Sequence, residues 1–212
     1  IDYTGTVYGD TLNYEPITDI EKVYNTVKND LDSKYNIKVL DQMGFNNTYT
    51  LAVKEETANL YNLKTMSDLS RVSRNLVISP SLEFINREDG LDRVNSVYSY
   101  NFKDVIGIDG SPRYTALINN ESDVVDAFAT DGLLKKFNLV VLEDDKHAFP
   151  PYYAIPLVRS DTLEEYPEIE EVLSNLGDQL NNDIMSELNY RVDELGENPS
   201  DVAREYLDNI DY

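Results

Sequence analysis

Leu139-Val140-Val141-Leu142 is an unbroken apolar run of strand length, and the residues from about Ser122 to Phe128 ahead of it predict a helix. An apolar run too short for a buried helix, preceded by a helix, is one step of an α/β pattern, with the run as a buried strand. Working upstream, the sequence predicts strands near Val105 to Ile108, Leu76 to Ser79, Thr50 to Val53 and Ile37 to Leu40, with a helix over Leu91 to Tyr98. Thr18 and Glu21 form a T-x-x-E capping box, after which Ile20, Val23, Tyr24, Val27 and Leu31 recur at helical spacing. Downstream of Pro150-Pro151 and Pro156 the text predicts helices only. Leu173, Leu176, Leu180, Ile184 and Leu188 keep one stripe, Gly196 stops it, and Asn198-Pro199 opens a last helix. This order predicts the α/β class, a sheet with helices on both faces. Gly, Asn and Pro interrupt the pattern at Gln42 to Asn47 and at Phe149 to Tyr153, where the chain is expected to cross between two lobes.

Composition narrows the chemistry. Of 212 residues, 18 are Lys or Arg and 40 are Asp or Glu, a net charge of −22. That excess repels phosphate backbones and anionic head groups, which argues against nucleic acid or a membrane surface and favours a cationic or zwitterionic partner. With no Cys there is no thiolate nucleophile, and a single His, His147, argues against His-based metal sites or catalytic dyads. No apolar run reaches membrane-spanning length, and the chain opens at Ile1-Asp2-Tyr3 without a signal-peptide pattern, so it is expected to be a soluble segment of an exported or longer polypeptide. The acidic pairs Glu164-Glu165, Glu170-Glu171 and Asp144-Asp145 read as solvated faces, because adjacent acids point to different sides of an element. What stands out is aromatic: 16 Tyr and 6 Phe with no Trp.

Five segments occur together in a telling order. They are Asp2-Tyr3-Thr4-Gly5-Thr6, Gly44-Phe45-Asn46-Asn47-Thr48-Tyr49, Glu83-Phe84 with Arg87 and Asp89-Gly90, Asp123 through Ala127-Phe128-Ala129-Thr130-Asp131-Gly132, and Asp144-Asp145-Lys146 through Phe149-Pro150-Pro151-Tyr152-Tyr153. In these the chain resembles the substrate-binding domains of ABC importers for quaternary ammonium compounds: glycine betaine, carnitine, choline and related osmoprotectants. The resemblance implies a two-lobed type II periplasmic-binding-protein fold that closes on its ligand, its first lobe truncated at the N-terminus. One lobe would be residues 1–43 with 152–212, the other residues 44–151. It implies an extracytoplasmic binding domain in bacteria that serves a permease, separate or fused in the same polypeptide, and its ATPase, without catalysis, cofactor or metal. Two alternatives stay open: a ligand-sensing or interaction domain on the same fold, or a binder of another trimethylammonium compound such as ergothioneine.

The chemistry of such a ligand explains the need for Tyr. A trimethylammonium group hides its charge behind methyls that donate no strong hydrogen bond. An aromatic face accepts the methyls by dispersion and the charge by its quadrupole, worth about 0.5 to 2 kcal/mol per contact. Matched to the family's motifs, Tyr3, Tyr49, Phe128 and Tyr152 would form the aromatic box, Phe128 standing where relatives commonly carry Tyr. Thr6 and Arg87 match positions that meet a ligand carboxylate, and the Asn47 carbonyl matches one that approaches the cationic head. A neutral hydroxyl at Thr6, where choline-type relatives look to have an acid, favours a zwitterion over choline alone.

Overall fold

The computed structural model describes residues 1–210. The chain divides into two compact units, one made of Ile1–Thr48 and the segment from Pro150 onward, the other of Tyr49–Phe149. The first unit opens with β1 (Asp2–Tyr3), then α1 (Thr4–Thr6) continuing into a π-helical turn over Val7–Thr11, α2 (Ile20–Tyr35) and β2 (Ile37–Val39). The second unit begins with β3 (Tyr49–Val53), α3 (Glu55–Tyr61), α4 (Met66–Ser70), β4 (Val77–Ile78), α5 (Leu82–Asn86) and α6 (Leu91–Tyr98). It continues through β5 (Asp104–Val105), α7 (Pro112–Ile118), β6 (Val124–Phe128), α8 (Gly132–Lys136) and β7 (Val140–Leu142). The first unit then resumes with β8 (Ala154–Ile155), β9 (Leu157–Arg159), α9 (Ser160–Glu165), α10 (Glu168–Asp178), α11 (Asn182–Asp193) and α12 (Pro199–Asp208).

In the first unit, α2 buries the face predicted for it. Val23, Val27 and Leu31 recur at i, i+4 and i+8 and pack with Val7, Tyr8, Val39 and Ile155. Each such side chain removed from water contributes about 1.5 to 3 kcal/mol. Asn36, in the left-handed region with φ 55°, ends the helix. Two short antiparallel ladders join the parts of the chain that lie far apart in sequence: Asp2 opposite Ile155 and Tyr3 opposite Ala154, and Ile37 to Val39 opposite Arg159 to Leu157. A second cluster of Met43, Phe45 and Ala154 packs with Tyr3, Leu176, Leu180 and Met185.

The second unit is built on a mixed sheet in the order β5-β4-β6-β3-β7. All five residues of β3 are buried, and because neighbouring side chains point to opposite faces, both faces of the sheet are covered there. One face carries Ala52, Val125 and Ala127 against Tyr114 and Leu117 of α7 and Leu133 and Leu134 of α8. On the other, Tyr49 stands opposite Phe128 and Leu51 opposite Asp126, and Phe84 of α5 meets Tyr49 there.

Several local expectations are corrected. Residues 124–128 are a central strand and not a helix. Val124-Val125 favour an extended backbone, and Ser122 and Asp123, which could have opened a helix, instead pin the strand. The Asp123 carboxylate accepts the Val77 N–H at 2.9 Å, and the Ser122 and Ser79 hydroxyls lie 2.7 Å apart. The cap of α2 is Asp19, whose carboxylate accepts the Lys22 N–H at 2.9 Å, one residue beyond the Thr18 box. The stripe from Leu173 to Leu188 is two helices, because Asn181 caps α11 through the Ile184 N–H at 2.9 Å. The segment after Pro150 begins with the strands β8 and β9 before turning helical. Of the strand expected near residues 105–108, the paired part is Asp104–Val105.

Candidate functional site

The first unit holds Tyr3, Thr6, Asn47 and Tyr152, and buried Thr4 is what ties their segments together. Its N–H donates to the Tyr153 carbonyl at 2.9 Å, and its hydroxyl donates to the Pro151 carbonyl at 2.9 Å while accepting the Tyr153 N–H at 3.1 Å. Tyr152 is clamped from the other side. Its N–H donates to Asn46 Oδ1 at 2.8 Å, and its carbonyl accepts the Asn47 N–H at 3.0 Å. Asn46 is itself fixed, since its N–H donates to Asn182 Oδ1 at 2.8 Å. Gly5 completes the arrangement: a Cβ there would lie 2.7 Å from the Pro151 oxygen and 2.8 Å from a ring carbon of Tyr152. Only a residue without a side chain lets the Tyr152 ring lie against this backbone. Tyr152 is buried, while Tyr3, Thr6 and Asn47 are half-buried.

The second unit holds Tyr49, Phe128 and Arg87, and the sheet register unites the first two. Tyr49 and Phe128 are directly opposed across β3 and β6, with ring centroids 4.7 Å apart. Two further rings join them: Phe84 at 5.1 Å and Phe149 at 6.0 Å from Tyr49. Phe149 is held in register because both carboxylate oxygens of Asp144 accept backbone N–H groups, Ala148 at 2.9 Å and Phe149 at 3.0 Å.

Polar groups border this aromatic cluster. The Tyr49 hydroxyl donates to Glu83 at 3.0 Å. Arg87 makes a two-pronged pair with Asp89, Nε at 2.7 Å and Nη2 at 3.0 Å, and lies 3.7 Å from Glu83. Its guanidinium carbon is 5.9 Å from the Tyr49 ring centroid. Burial first, and then the Glu83 charge, push the Tyr49 phenol far above its ordinary pKa, so it remains a hydrogen-bond donor. Two residues along β6 from Phe128, burial raises the Asp126 carboxyl above the usual range, with Arg113 and Ser81 opposing the shift.

Phe84, Phe149 and Glu83 lie within the sequence segments that matched the family, yet nothing local marked them as neighbours of Tyr49. Their convergence is a product of the sheet. His147 is exposed in a turn at φ 52°, and the Glu164-Glu165 and Glu170-Glu171 pairs are exposed, whereas the expectation of a solvated face is corrected at Asp144-Asp145, where Asp144 is half-buried with its carboxylate on the Ala148 and Phe149 N–H groups. Among the described residues, no group of three or more His, Cys, Asp or Glu side chains is arranged to hold a metal ion. The arrangement offers quadrupolar ring faces and a fixed guanidinium, the two elements a methylated cation and a carboxylate would respectively engage.

Comparison with known proteins gives a consistent pattern. A family model described as the substrate-binding domain of an ABC-type glycine betaine transport system matches residues 1–209. The carnitine transport binding protein OpuCC of Listeria monocytogenes is 36% identical over 211 residues, spanning 99% of this chain and 68% of that protein. The ergothioneine transport permease/ergothioneine binding protein EgtU of Helicobacter pylori is 34% identical over 211 residues, 99% of this chain but 38% of that protein. The chain therefore spans well under half of one such relative and about two thirds of the other. Among solved structures, a glycine betaine/carnitine/choline ABC transporter protein superposes with a TM-score of 0.90 at 33% identity, covering 98% of this chain and 76% of that one.

Proposed function

The chain belongs to the family of substrate-binding domains of ABC-type glycine betaine transport systems, and from that premise we propose that it captures a quaternary ammonium solute outside the cytoplasm and hands it to a permease driven by an ATPase. The observation that carries this reading is the cross-strand pair of Tyr49 and Phe128, extended by Phe84 and bordered by the Arg87 guanidinium. Such rings suit methyl groups that carry charge and lack N–H donors. Tyr3 and Tyr152 supply aromatic faces from the first unit, and the Asn47 carbonyl turns a partial negative charge toward the cationic head. Thr6 and Arg87 receive the ligand carboxylate, so the preferred ligand is a zwitterion such as glycine betaine, carnitine or ergothioneine. Ergothioneine and carnitine are named for the two relatives, and glycine betaine for the family. The ligand is bound reversibly and released unchanged.

Isothermal titration calorimetry against glycine betaine, carnitine, choline and ergothioneine tests the reading. At least one of the zwitterions is expected to bind more tightly than choline, and to be recovered chemically intact. Absence of heat with all four would overturn the proposal, and tighter binding of choline than of every zwitterion would overturn the roles of Thr6 and Arg87.

A further inference from the structure

Glu83 makes a contact that has no part in the capture of ligand proposed above. Its carboxylate accepts the hydroxyl proton of Tyr49 at 3.0 Å, although its side chain is 60% exposed. The helix that presents it is fixed to the sheet by a series of contacts. Glu83 lies in the first turn of α5, whose cap Ser81 accepts the Phe84 N–H at 3.1 Å. Ser81 in turn donates its N–H and its hydroxyl to Asp126, at 2.7 and 3.0 Å. Asp126 stands on β6 opposite Leu51, two residues along from the Phe128 and Tyr49 pair. The strands that present the two rings therefore also fix the helix that presents Glu83.

The physical effect follows from the two charges around one ring. The Arg87 guanidinium, 5.9 Å from the Tyr49 centroid, opposes a second cation on that ring. A phenol hydrogen-bonded to a carboxylate is polarised in the opposite sense, which deepens the negative potential of its face. We infer that Glu83 is a positioning residue that orients the Tyr49 ring and polarises it through its hydroxyl, so that this domain prefers a cationic head group over a neutral one of the same shape. The inference rests on the proposal that Tyr49 meets the ligand cation.

The test pairs glycine betaine with 3,3-dimethylbutanoate, which has carbon in place of the quaternary nitrogen, and measures both Kd values on the full chain. Glu83→Gln keeps an acceptor but removes the charge, and is expected to reduce the preference for glycine betaine about three- to tenfold. In a Tyr49→Phe background the same change is expected to move that preference less than about twofold, since the hydroxyl link is gone. An equal effect in both backgrounds, or no change in preference in either, overturns the inference. A second measurement needs no ligand: the near-ultraviolet tyrosine spectrum should shift in Glu83→Gln and not when the same change is made in Tyr49→Phe. An unshifted spectrum overturns the coupling itself. Failure of the parent chain to bind any quaternary ammonium compound, with the spectral shift present, overturns the ligand assignment and leaves the Glu83 to Tyr49 contact standing.

Discussion

Arg87 uses two of its N–H donors on Asp89, and Asp89 is 5% exposed while Arg87 is 24% exposed. A guanidinium pinned in this way acts as a directed donor rather than a mobile counter-charge, which suits recognition of a planar carboxylate. Removing it has two separable effects. Arg87→Ala removes this two-pronged ion pair from the buried Asp89 carboxylate, at a cost of about 1 to 3 kcal/mol in stability. It is also expected to weaken glycine betaine or carnitine about tenfold more than choline, which has no carboxylate. Calorimetry with both ligand types, beside a thermal melt, resolves the two, and equal loss for both ligands would assign Arg87 a structural role only. At this scale the motifs made Tyr49, Phe128 and Arg87 legible as residue types in matched positions. The Glu83 partnership was not legible, because it joins residues 34 apart through the arrival of a helix against a sheet, and no periodicity records such a meeting.

The elements show where local signals mislead. Ser122 and Asp123 ahead of an apolar stretch look like the start of a helix, but both side chains are used to bind the neighbouring strand, through Ser79 and Val77. Five paired residues with β3 then outweigh any helical preference in 124–128. The strands β8 and β9 were illegible for a related reason: they are two and three residues long, and their partners β1 and β2 lie more than a hundred residues away. By contrast α2, with a full amphipathic period and a cap, was plain from sequence except for the shift of its cap from Thr18 to Asp19. The same element-level packing makes Gly5 testable. Gly5→Ala forces a methyl to within 2.7 Å of the Pro151 carbonyl oxygen, a backbone atom with little room to yield, and is expected to cost about 1 to 3 kcal/mol. The thermal midpoint should fall, and affinity should fall with it as the Tyr152 ring is displaced. A variant as stable as the parent, with unchanged affinity, would show that the backbone at Gly5 does not lie against Tyr152.

For the whole molecule, the α/β class was legible because the apolar runs and helical stripes alternate along the chain, and the fold is the type II periplasmic-binding-protein architecture of its structural relative. The tyrosines that serve the core, however, depend on three-dimensional burial and give a global signature. Burial is the leading cause that raises the phenols of Tyr49, Tyr98, Tyr100 and Tyr114 well above their ordinary value. Carboxylates nearby add to it: Glu83 beside Tyr49, Asp144 beside Tyr98 and Tyr100, and Asp131 beside Tyr114. In the unfolded chain these groups ionise near pH 10. Above that pH the unfolded state holds fewer protons than the folded one, so their contribution to stability is complete below about pH 10 and is lost as pH rises further. The net charge of −22 adds self-repulsion that grows as further phenolates form. Alkaline titration followed by phenolate absorbance and far-ultraviolet circular dichroism should therefore show the absorbance of these four residues arriving together with the loss of secondary structure, in one cooperative step. Ionisation of all 16 tyrosines with the dichroism intact would mean that these phenols are open to solvent, which would overturn the burial of the aromatic cluster around Tyr49.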